Sequence, residues 1–169
     1  MSMLKEILVI EDDKDTRRLV ERVLSNAGYR VIEAKNVAEA MSCIEEKVPH
    51  LIIVDLNLPG ESGFSILTRK TGSLYLKNTP IMVLSVINSV DVVYRAIALG
   101  AGDYVTKPFN TIVLLQKIHK LLRDRHFLKL KFDSKMNPKL LATVRGTITR
   151  ASEVGFILES PIRFAPQTR

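Results

Sequence analysis

Four short stretches of the sequence place polar side chains directly after runs of apolar residues. Glu11 and Asp12 follow one run, Asp55 follows another, and Ser85 and Lys107 follow two more. Carboxylates gathered in one hollow repel one another unless a cation lies between them, and Mg²⁺ accepts one or two carboxylates while keeping waters for a phosphate. A carboxylate can also attack phosphorus to give an acyl phosphate. These residue types predict phosphoryl transfer to a carboxylate, assisted by a divalent cation.

Each side chain has a plain role in such a transfer, which needs positioning and charge neutralisation more than acid–base help. Asp55 is the predicted nucleophile because it ends the most apolar run, Leu51–Val54, which we expect to be the central strand. The ammonium of Lys107 suits phosphate oxygens as a compact charge, and the Ser85 hydroxyl can donate to another oxygen. Each residue alone is equally typical of a turn, a solvated surface or a helix cap, so the prediction depends on the set.

These side chains meet only if the apolar runs are parallel strands of one sheet. Five such runs alternate with five segments that carry apolar residues at helical spacing. The runs are Glu6–Ile10, Tyr29–Ala34, Leu51–Val54, Ile81–Leu84 and Tyr104–Thr106. This alternation predicts an α/β fold with a doubly wound, five-stranded parallel sheet covered by helices on both faces. Ligands bind beyond the carboxyl ends of the strands in such sheets.

Two of the helical segments show a clear apolar stripe. In the first segment the stripe is Leu19, Val20, Val23, Leu24 and Ala27. In the fifth segment, about 111–123, it is Ile112, Leu115, Ile118 and Leu122. Asp13 and Asp15 precede the first stripe, where an acid commonly caps a helix, so we expect them to be capping residues.

The C-terminal part differs from the rest in charge and pattern. Residues 1–124 hold 16 lysines and arginines against 15 acids, whereas residues 125–169 hold nine against three, so most of the net charge of +7 lies in the second part. Apolar residues there alternate with period two, as in Leu128–Phe132, which predicts short antiparallel strands. We predict a first domain over residues 1–124, a linker over 125–138 and a β-rich segment over 139–169. Its basic character fits a phosphate-binding surface or a solvated segment.

The composition excludes several classes of protein. Hydrophobic residues make up 46% and charged residues 25%, which is typical of a globular chain and not of a disordered one. The lone Cys43 excludes an internal disulfide and a zinc site made by cysteines. No run of apolar residues is long enough to span a membrane, and the first residues lack a signal-peptide pattern. We therefore expect a cytoplasmic protein with no membrane association.

Four segments carry a resemblance to a known family. They are Ile7–Asp13, Asp55–Gly60 followed by Gly63, Pro80–Ser85, and Gly100–Phe109. Over about residues 4–124 the sequence resembles the receiver domain of a bacterial two-component response regulator. The resemblance implies a flavodoxin-like receiver fold and a signalling switch in a phosphorelay rather than an enzyme. It also implies a sensor histidine kinase or a phosphotransfer protein as the partner that supplies the phosphoryl group.

The resemblance implies a role for each oxygen ligand of the metal, which it identifies as Mg²⁺. Asp12 is expected to bind Mg²⁺ directly and Glu11 to bind it through water. Asn57 is expected to lend its backbone carbonyl. Asp55 corresponds to the phosphoacceptor and is counted among the metal ligands as well.

The resemblance also implies a switch. Ser85 corresponds to the switch hydroxyl, Tyr104 to the switch aromatic and Lys107 to the phosphate-binding lysine, which precedes Pro108 through a cis bond. A phosphoryl group adds nearly two negative charges and three acceptor oxygens. We therefore expect Ser85 to move toward phosphorylated Asp55 and Tyr104 to swing inward into the vacated space.

The surface expected to respond is formed by the fourth helix (about Ser89–Leu99), the fifth strand and the fifth helix. Partners or a second copy usually dock there, so a homodimer is expected through this surface or through the C-terminal strands. One departure from the family is Val86, which follows the switch hydroxyl at a position that is usually tiny. Its β-branched side chain is expected to crowd the phosphoryl site and to alter the kinetics.

The C-terminal segment shows a second, weaker resemblance. Residues 145–158 are similar to the opening strands of a PilZ-type β-barrel, a family that binds cyclic di-GMP. Ser152 and Gly155 fit its turn motif, whereas Arg150 stands where that family has Asp or Asn. The segment is too short for a full barrel, so the chain is a fragment or a partner chain completes the sheet.

Two other functional classes remain as alternatives. An aspartyl-phosphate phosphohydrolase places its nucleophile after the first strand with a second Asp two residues later, and the order Glu11, Asp12, Asp13 does not favour it. A regulator with a basic tail that binds nucleic acid or cyclic di-GMP is the other alternative. The tail has no helix-turn-helix pattern, so we do not expect it to read bases directly.

Overall fold

The computed structural model describes residues 4–73, 75–123, 147–152 and 155–159, with backbone alone in the last two ranges. The chain divides into two compact units, Met1–Asp124 and Arg125–Arg169, and each is described by itself. The division into domain, linker and β-rich segment stays a prediction, because most of the second unit lies outside the described residues.

The first unit contains five strands and five helices. The strands are β1 (Glu6–Ile10), β2 (Arg30–Ala34), β3 (Leu51–Val54), β4 (Ile81–Ser85) and β5 (Asp103–Thr106). The helices are α1 (Lys14–Asn26), α2 (Val37–Glu46), α3 (Phe64–Gly72), α4 (Val90–Ala98) and α5 (Thr111–Leu122). Strands and helices alternate as the sequence predicts. None of the helices in this part of the chain is long and apolar enough to cross a membrane.

The five strands form one parallel sheet in the order β2-β1-β3-β4-β5. Every residue of β1, β3 and β4 is buried, as expected for strands covered on both faces. The chain order reverses between β1 and β3, which opens a crevice at their carboxyl ends. The predicted doubly wound α/β fold is confirmed. Glu11, Asp12 and Asp55 follow the two strands that border this crevice, whereas Ser85 ends β4 and Lys107 follows β5.

The helix stripes differ in part from the prediction. Leu19 is 48% exposed, because the face of α1 that meets the sheet is centred on Val20 and Leu24. Ile112 is 40% exposed, since it precedes the buried Leu114 by two residues, which is about 200° around a helix. Placing Leu19 and Ile112 on the buried stripes was therefore wrong, and the buried Leu114 was missed.

The start of α1 is fixed by a capping residue. The Asp13 side chain accepts a hydrogen bond from the Thr16 N–H at 2.8 Å, which confirms the capping prediction for Asp13. Asp15 lies inside the first turn and does not cap the helix, so that prediction was wrong. An acid at this place still interacts favourably with the positive end of the helix dipole.

The helix α4 is held differently from the others. Ala96 alone among its residues is buried, and its N-cap, Ser89, makes no side-chain capping bond. The guanidinium of Arg95 lies over the Phe64 ring at 4.4 Å and joins α4 to α3. Its exposed face carries Val90, Tyr94 and Ile97.

The second unit contains two described strands, β6 (Thr147–Ser152) and β7 (Gly155–Glu159), which pair antiparallel. Thr147 pairs with Glu159 and Ser152 with Gly155, with an irregularity between Ile148 and Arg150. This pair agrees with the short antiparallel strands predicted there. The strand predicted at 128–132 lies outside the described residues.

Candidate functional site

Three carboxylates converge at the carboxyl end of the sheet. One oxygen each from Glu11, Asp12 and Asp55 lies within 4.8 Å of the others. Glu11 and Asp55 are buried, whereas Asp12 is exposed, so the group opens to solvent on one side. Three oxygen ligands at this separation, open to water, are what a small hard cation requires.

Lys107 supplies the positive charge nearest to these carboxylates. Its ammonium donates to Asp55 Oδ2 at 2.5 Å and also to Glu11 Oε2. The Lys107 side chain is largely buried, so both bonds are shielded from water. Its peptide bond to Pro108 is cis, as the resemblance implies. One ammonium therefore bridges the two buried carboxylates.

Burial and hydrogen bonding within this group shift two pKa values. Burial raises the pKa of Glu11 above its ordinary value, and the hydrogen bond from Lys107 offsets this only in part. Burial also works against the charge on Lys107, but the hydrogen bonds to Asp55 and Glu11 prevail and leave the pKa of Lys107 above its ordinary value. Lys107 therefore stays charged throughout the physiological range.

Both oxygens of the Asp55 carboxylate have hydrogen-bond donors. The Ser85 hydroxyl, fully buried at the end of β4, donates to Asp55 Oδ1 at 2.7 Å, and the Asn57 N–H donates to the same oxygen at 2.9 Å. Lys107 donates to the other oxygen. The orientation of the Asp55 carboxylate is thereby fixed. Because the Ser85 hydroxyl bonds Asp55, Ser85 does not have the alternative role of a helix cap.

The loop after β3 packs closely against Asp55. A Cβ atom at Gly63 would overlap the backbone carbonyl of Asp55 and lie 2.9 Å from a methyl carbon of Val54, so this position requires glycine. The Gly63 N–H and the Ser62 hydroxyl both donate to the Leu56 carbonyl, at 3.2 and 2.9 Å. The loop is thus folded back onto the end of the strand that carries Asp55.

The two residues predicted to form the switch, Ser85 and Tyr104, both make side-chain hydrogen bonds in this structure. The Tyr104 side chain is partly buried, its hydroxyl donates to the Ile87 carbonyl at 2.6 Å, and burial raises the pKa of Tyr104. The sequence predicts that Ser85 moves toward phosphorylated Asp55, and in this structure its hydroxyl bonds the Asp55 carboxylate. The Val86 side chain, next to Ser85, is 59% exposed.

Arg17 was not predicted as a site residue, but it bonds the backbone of two of the acidic residues. Arg17 is only 6% exposed, and its NH1 donates to the Glu11 carbonyl at 2.7 Å and to the Asp12 carbonyl at 3.1 Å. Its Nε lies 3.4 Å from a carboxylate oxygen of Glu33. The signal was present, because Arg17 precedes Val20 by three residues and so falls on the apolar stripe.

The first unit of this chain is similar to known proteins. The model of the family described as response regulator receiver domain matches residues 7–119. The phosphate regulon transcriptional regulatory protein PhoB of Pseudomonas aeruginosa is 33% identical over 119 residues, which are 70% of this chain and 52% of PhoB. The cell cycle transcriptional regulator CtrA of Caulobacter vibrioides is 36% identical over 117 residues, or 69% of this chain and 50% of CtrA.

This chain therefore spans about half the length of these curated relatives. Among solved structures, the chemotaxis protein CheY4 of Vibrio cholerae has a TM-score of 0.67 at 28% identity and covers 70% of this chain and 99% of its own. The family match ends at residue 119, so nothing in these comparisons supports the PilZ-type resemblance of the C-terminal segment.

Proposed function

This chain belongs to the response regulator receiver domain family, and from that premise we propose that Asp55 is the residue that accepts the phosphoryl group. The observation that carries the proposal is the environment of Asp55: two other carboxylates, one hydroxyl and one ammonium gather around its side chain. Families of this kind act as signalling switches rather than as enzymes that turn over a metabolite. The phosphohydrolase alternative is not favoured, because the acid after β1 is Glu11, which is engaged by Lys107.

The acidic group fits Mg²⁺. Glu11, Asp12 and Asp55 offer hard oxygen ligands within one ion's reach, and the Asn57 backbone carbonyl is the fourth proposed ligand. When bound, the ion would supply positive charge against the phosphoryl oxygens. The carboxylates of this chain would hold the ion, and the exposure of Asp12 would leave room for water and a phosphodonor.

The transfer itself depends on Asp55 and two donors. A carboxylate oxygen of Asp55 attacks phosphorus, and the bond from phosphorus to the donor breaks as the new bond forms. Lys107 and Ser85 already bond the two oxygens of Asp55, so each lies within reach of a phosphoryl oxygen once the group is attached. They would bind the charge that the new group brings.

The contacts of Tyr104 support a proposal for the surface that responds to phosphorylation. Its hydroxyl joins β5 to the loop that precedes α4, through the Ile87 carbonyl. We propose that phosphorylation stabilises this contact and thereby the surface of α4, β5 and α5. The exposed Val90, Tyr94 and Ile97 give that surface an apolar face. A homodimer through this surface or through the C-terminal strands is our proposed output, with a sensor histidine kinase or a phosphotransfer protein as the donor partner.

The proposal is tested by phosphorylation with a small phosphodonor and Mg²⁺, followed by intact mass measurement. The chain should gain one phosphoryl group, and Asp55→Asn should abolish the gain. Asp13→Asn is the matched control, because Asp13 is an exposed acid at the same edge that caps α1 instead. Equal labelling of wild type and Asp55→Asn would overturn the assignment of Asp55.

Val86 provides a second test of the same site. We propose that its side chain restricts the approach of phosphodonor and water to Asp55, since it follows Ser85 directly and is exposed. Val86→Ala should then raise both the rate of labelling and the rate of dephosphorylation. Unchanged rates in both directions would show that Val86 does not restrict access.

A further inference from the structure

A buried arginine lies directly behind the acidic group. Arg17 is on the face of α1 that meets the sheet, and its guanidinium reaches back to the loop between β1 and α1. Burying an arginine is unfavourable unless its donors are satisfied. Two of the partners of Arg17 are consecutive backbone carbonyls, those of Glu11 and Asp12.

These bonds fix the two peptide units from which the acidic side chains project. The Glu11 N–H donates to the Ala34 carbonyl at 3.0 Å, so the residue is held by β2 on one side and by Arg17 on the other. Asp12 contributes a carbonyl to the same NH1 at 3.1 Å. The direction in which a carboxylate projects follows from the orientation of its own backbone, so fixing these peptides fixes the donor set.

The guanidinium has a geometry that a lysine lacks. The NH1 nitrogen donates to the two carbonyls, and the Nε nitrogen lies 3.4 Å from the Glu33 carboxylate on β2. The nitrogens of a guanidinium are held in one rigid plane. The contact with Glu33 therefore also fixes the direction in which NH1 points toward the loop between β1 and α1. A flexible ammonium supplies the charge without this fixed direction.

We propose that Arg17 is a positioning residue for divalent-cation binding: through the carbonyls of Glu11 and Asp12 it holds both carboxylates in the arrangement that meets Asp55. The inference rests on the proposed function of the acidic group. Arg17 is not among the proposed ligands of the ion and would act through them. Changes in groups that orient metal ligands commonly lower metal affinity by about 10- to 100-fold.

The test compares Arg17→Lys and Arg17→Met with Arg18→Met in the full chain. Arg18 is the adjacent arginine of the same helix and is exposed, so it controls for the loss of one positive charge near the site. Mg²⁺ affinity is measured by calorimetric titration. The Mg²⁺ concentration that gives half-maximal labelling by a small phosphodonor is measured separately, and urea unfolding in EDTA reports stability without metal.

We expect Arg17→Lys to weaken Mg²⁺ binding by roughly tenfold and Arg17→Met by more, with Arg18→Met within about twofold of wild type. Saturating Mg²⁺ should restore labelling in Arg17→Lys, because the reacting groups are intact. A merely structural role predicts lower stability in EDTA with unchanged Mg²⁺ affinity, and that result would overturn the inference. If Arg17→Met does not fold, Arg17→Lys decides by the same criterion.

Failure of the proposed function has a different signature. In that case wild type and Arg18→Met would themselves bind no Mg²⁺ or gain no phosphoryl group. If both of these proteins bind Mg²⁺ and are labelled normally while Arg17→Lys matches them in Mg²⁺ affinity, the proposed function stands and the positioning role of Arg17 is refuted.

Discussion

Replacing Lys107 by methionine tests how much the Lys107 ammonium stabilises the buried carboxylates of Glu11 and Asp55. The variant keeps most of the side chain's length and removes its charge. Glu11 and Asp55 then lie buried with no cation in contact, and removing one partner of a buried ion pair costs about 3–5 kcal/mol. Asp55 keeps two hydrogen-bond donors, from Ser85 and Asn57. We therefore expect a loss near the lower end, about 3 kcal/mol, when no divalent cation is present.

A divalent cation should reverse much of this loss. The Lys107 ammonium bonds the same carboxylates that would hold Mg²⁺, so it repels the ion. A single charge about 5 Å from a doubly charged ion repels it by roughly 1.7 kcal/mol even at the dielectric constant of water. Lys107→Met should therefore bind Mg²⁺ at least about tenfold more tightly than wild type. At equal, saturating Mg²⁺ the ion stabilises the variant by about 1.4 kcal/mol more.

Urea unfolding followed by circular dichroism, in excess EDTA and in saturating Mg²⁺, measures both quantities. Lys117→Met is the matched control, because Lys117 pairs with Asp103 and contacts the Tyr104 carbonyl, outside the acidic group. It should lose stability equally in both solutions. The reasoning is refuted if Lys107→Met is as stable as wild type in EDTA, or if Mg²⁺ stabilises the two proteins by the same amount.

Three further predictions concern single side chains. Ser85→Ala should destabilise the chain by about 2 kcal/mol and slow labelling of Asp55, because a hydrogen bond to a carboxylate is lost; urea unfolding and mass measurement check this. Gly63→Ala should destabilise by about 1–3 kcal/mol through overlap with the Asp55 backbone, whereas Gly72→Ala, where nothing lies within 4 Å, should be neutral or stabilising in the same thermal melts. Glu6→Gln should remove a pH dependence: the hydrogen bond from Lys47 lowers the pKa of Glu6, so its contribution is present at neutral pH and is lost as the pH falls through that pKa. Unfolding of wild type and Glu6→Gln at neutral and at acidic pH should therefore converge in acid, and a constant difference would contradict the assignment.

Much of the first unit follows from local sequence rules. Continuous apolar runs indicate buried parallel strands whatever lies next to them, so the bounds of β1 and β3 agree with the prediction. The bounds of β2 and β5 differ by one residue at the start and those of β4 by one residue at the end, because hydrogen bonding to neighbouring strands decides where a strand begins and ends. The burial of Leu114 in place of Ile112 depends on how α5 is rotated against the sheet, which the spacing alone did not fix.

The site was predictable as a set of residue types but not as a network of bonds. A parallel sheet brings the residues that follow its strands to one edge, so Asp55 and Lys107 were expected together. The hydrogen bond from Ser85 to Asp55 depends on rotamers and on distances across the sheet, which residue spacing does not fix. Arg17 was missed because a charged residue at a position of the apolar stripe is usually interpreted as exposed. Its bonds to buried backbone carbonyls are visible only in the structure.

The light attachment of α4 has a consequence for how signals leave this molecule. In α4 only Ala96 is fully buried, Val92 is partly buried against the core, Arg95 stacks on Phe64, and Ser89 makes no side-chain capping bond. Fewer buried side chains therefore oppose the displacement of α4 than that of α1, which buries three. Its amide protons should exchange with solvent through local opening, at a free energy well below that of global unfolding, whereas those of β1 and β3 should exchange only when the whole unit unfolds. A ligand can shift an equilibrium only by its differential affinity for the two states. A difference in binding free energy that is too small to displace α1 should therefore be enough to displace α4.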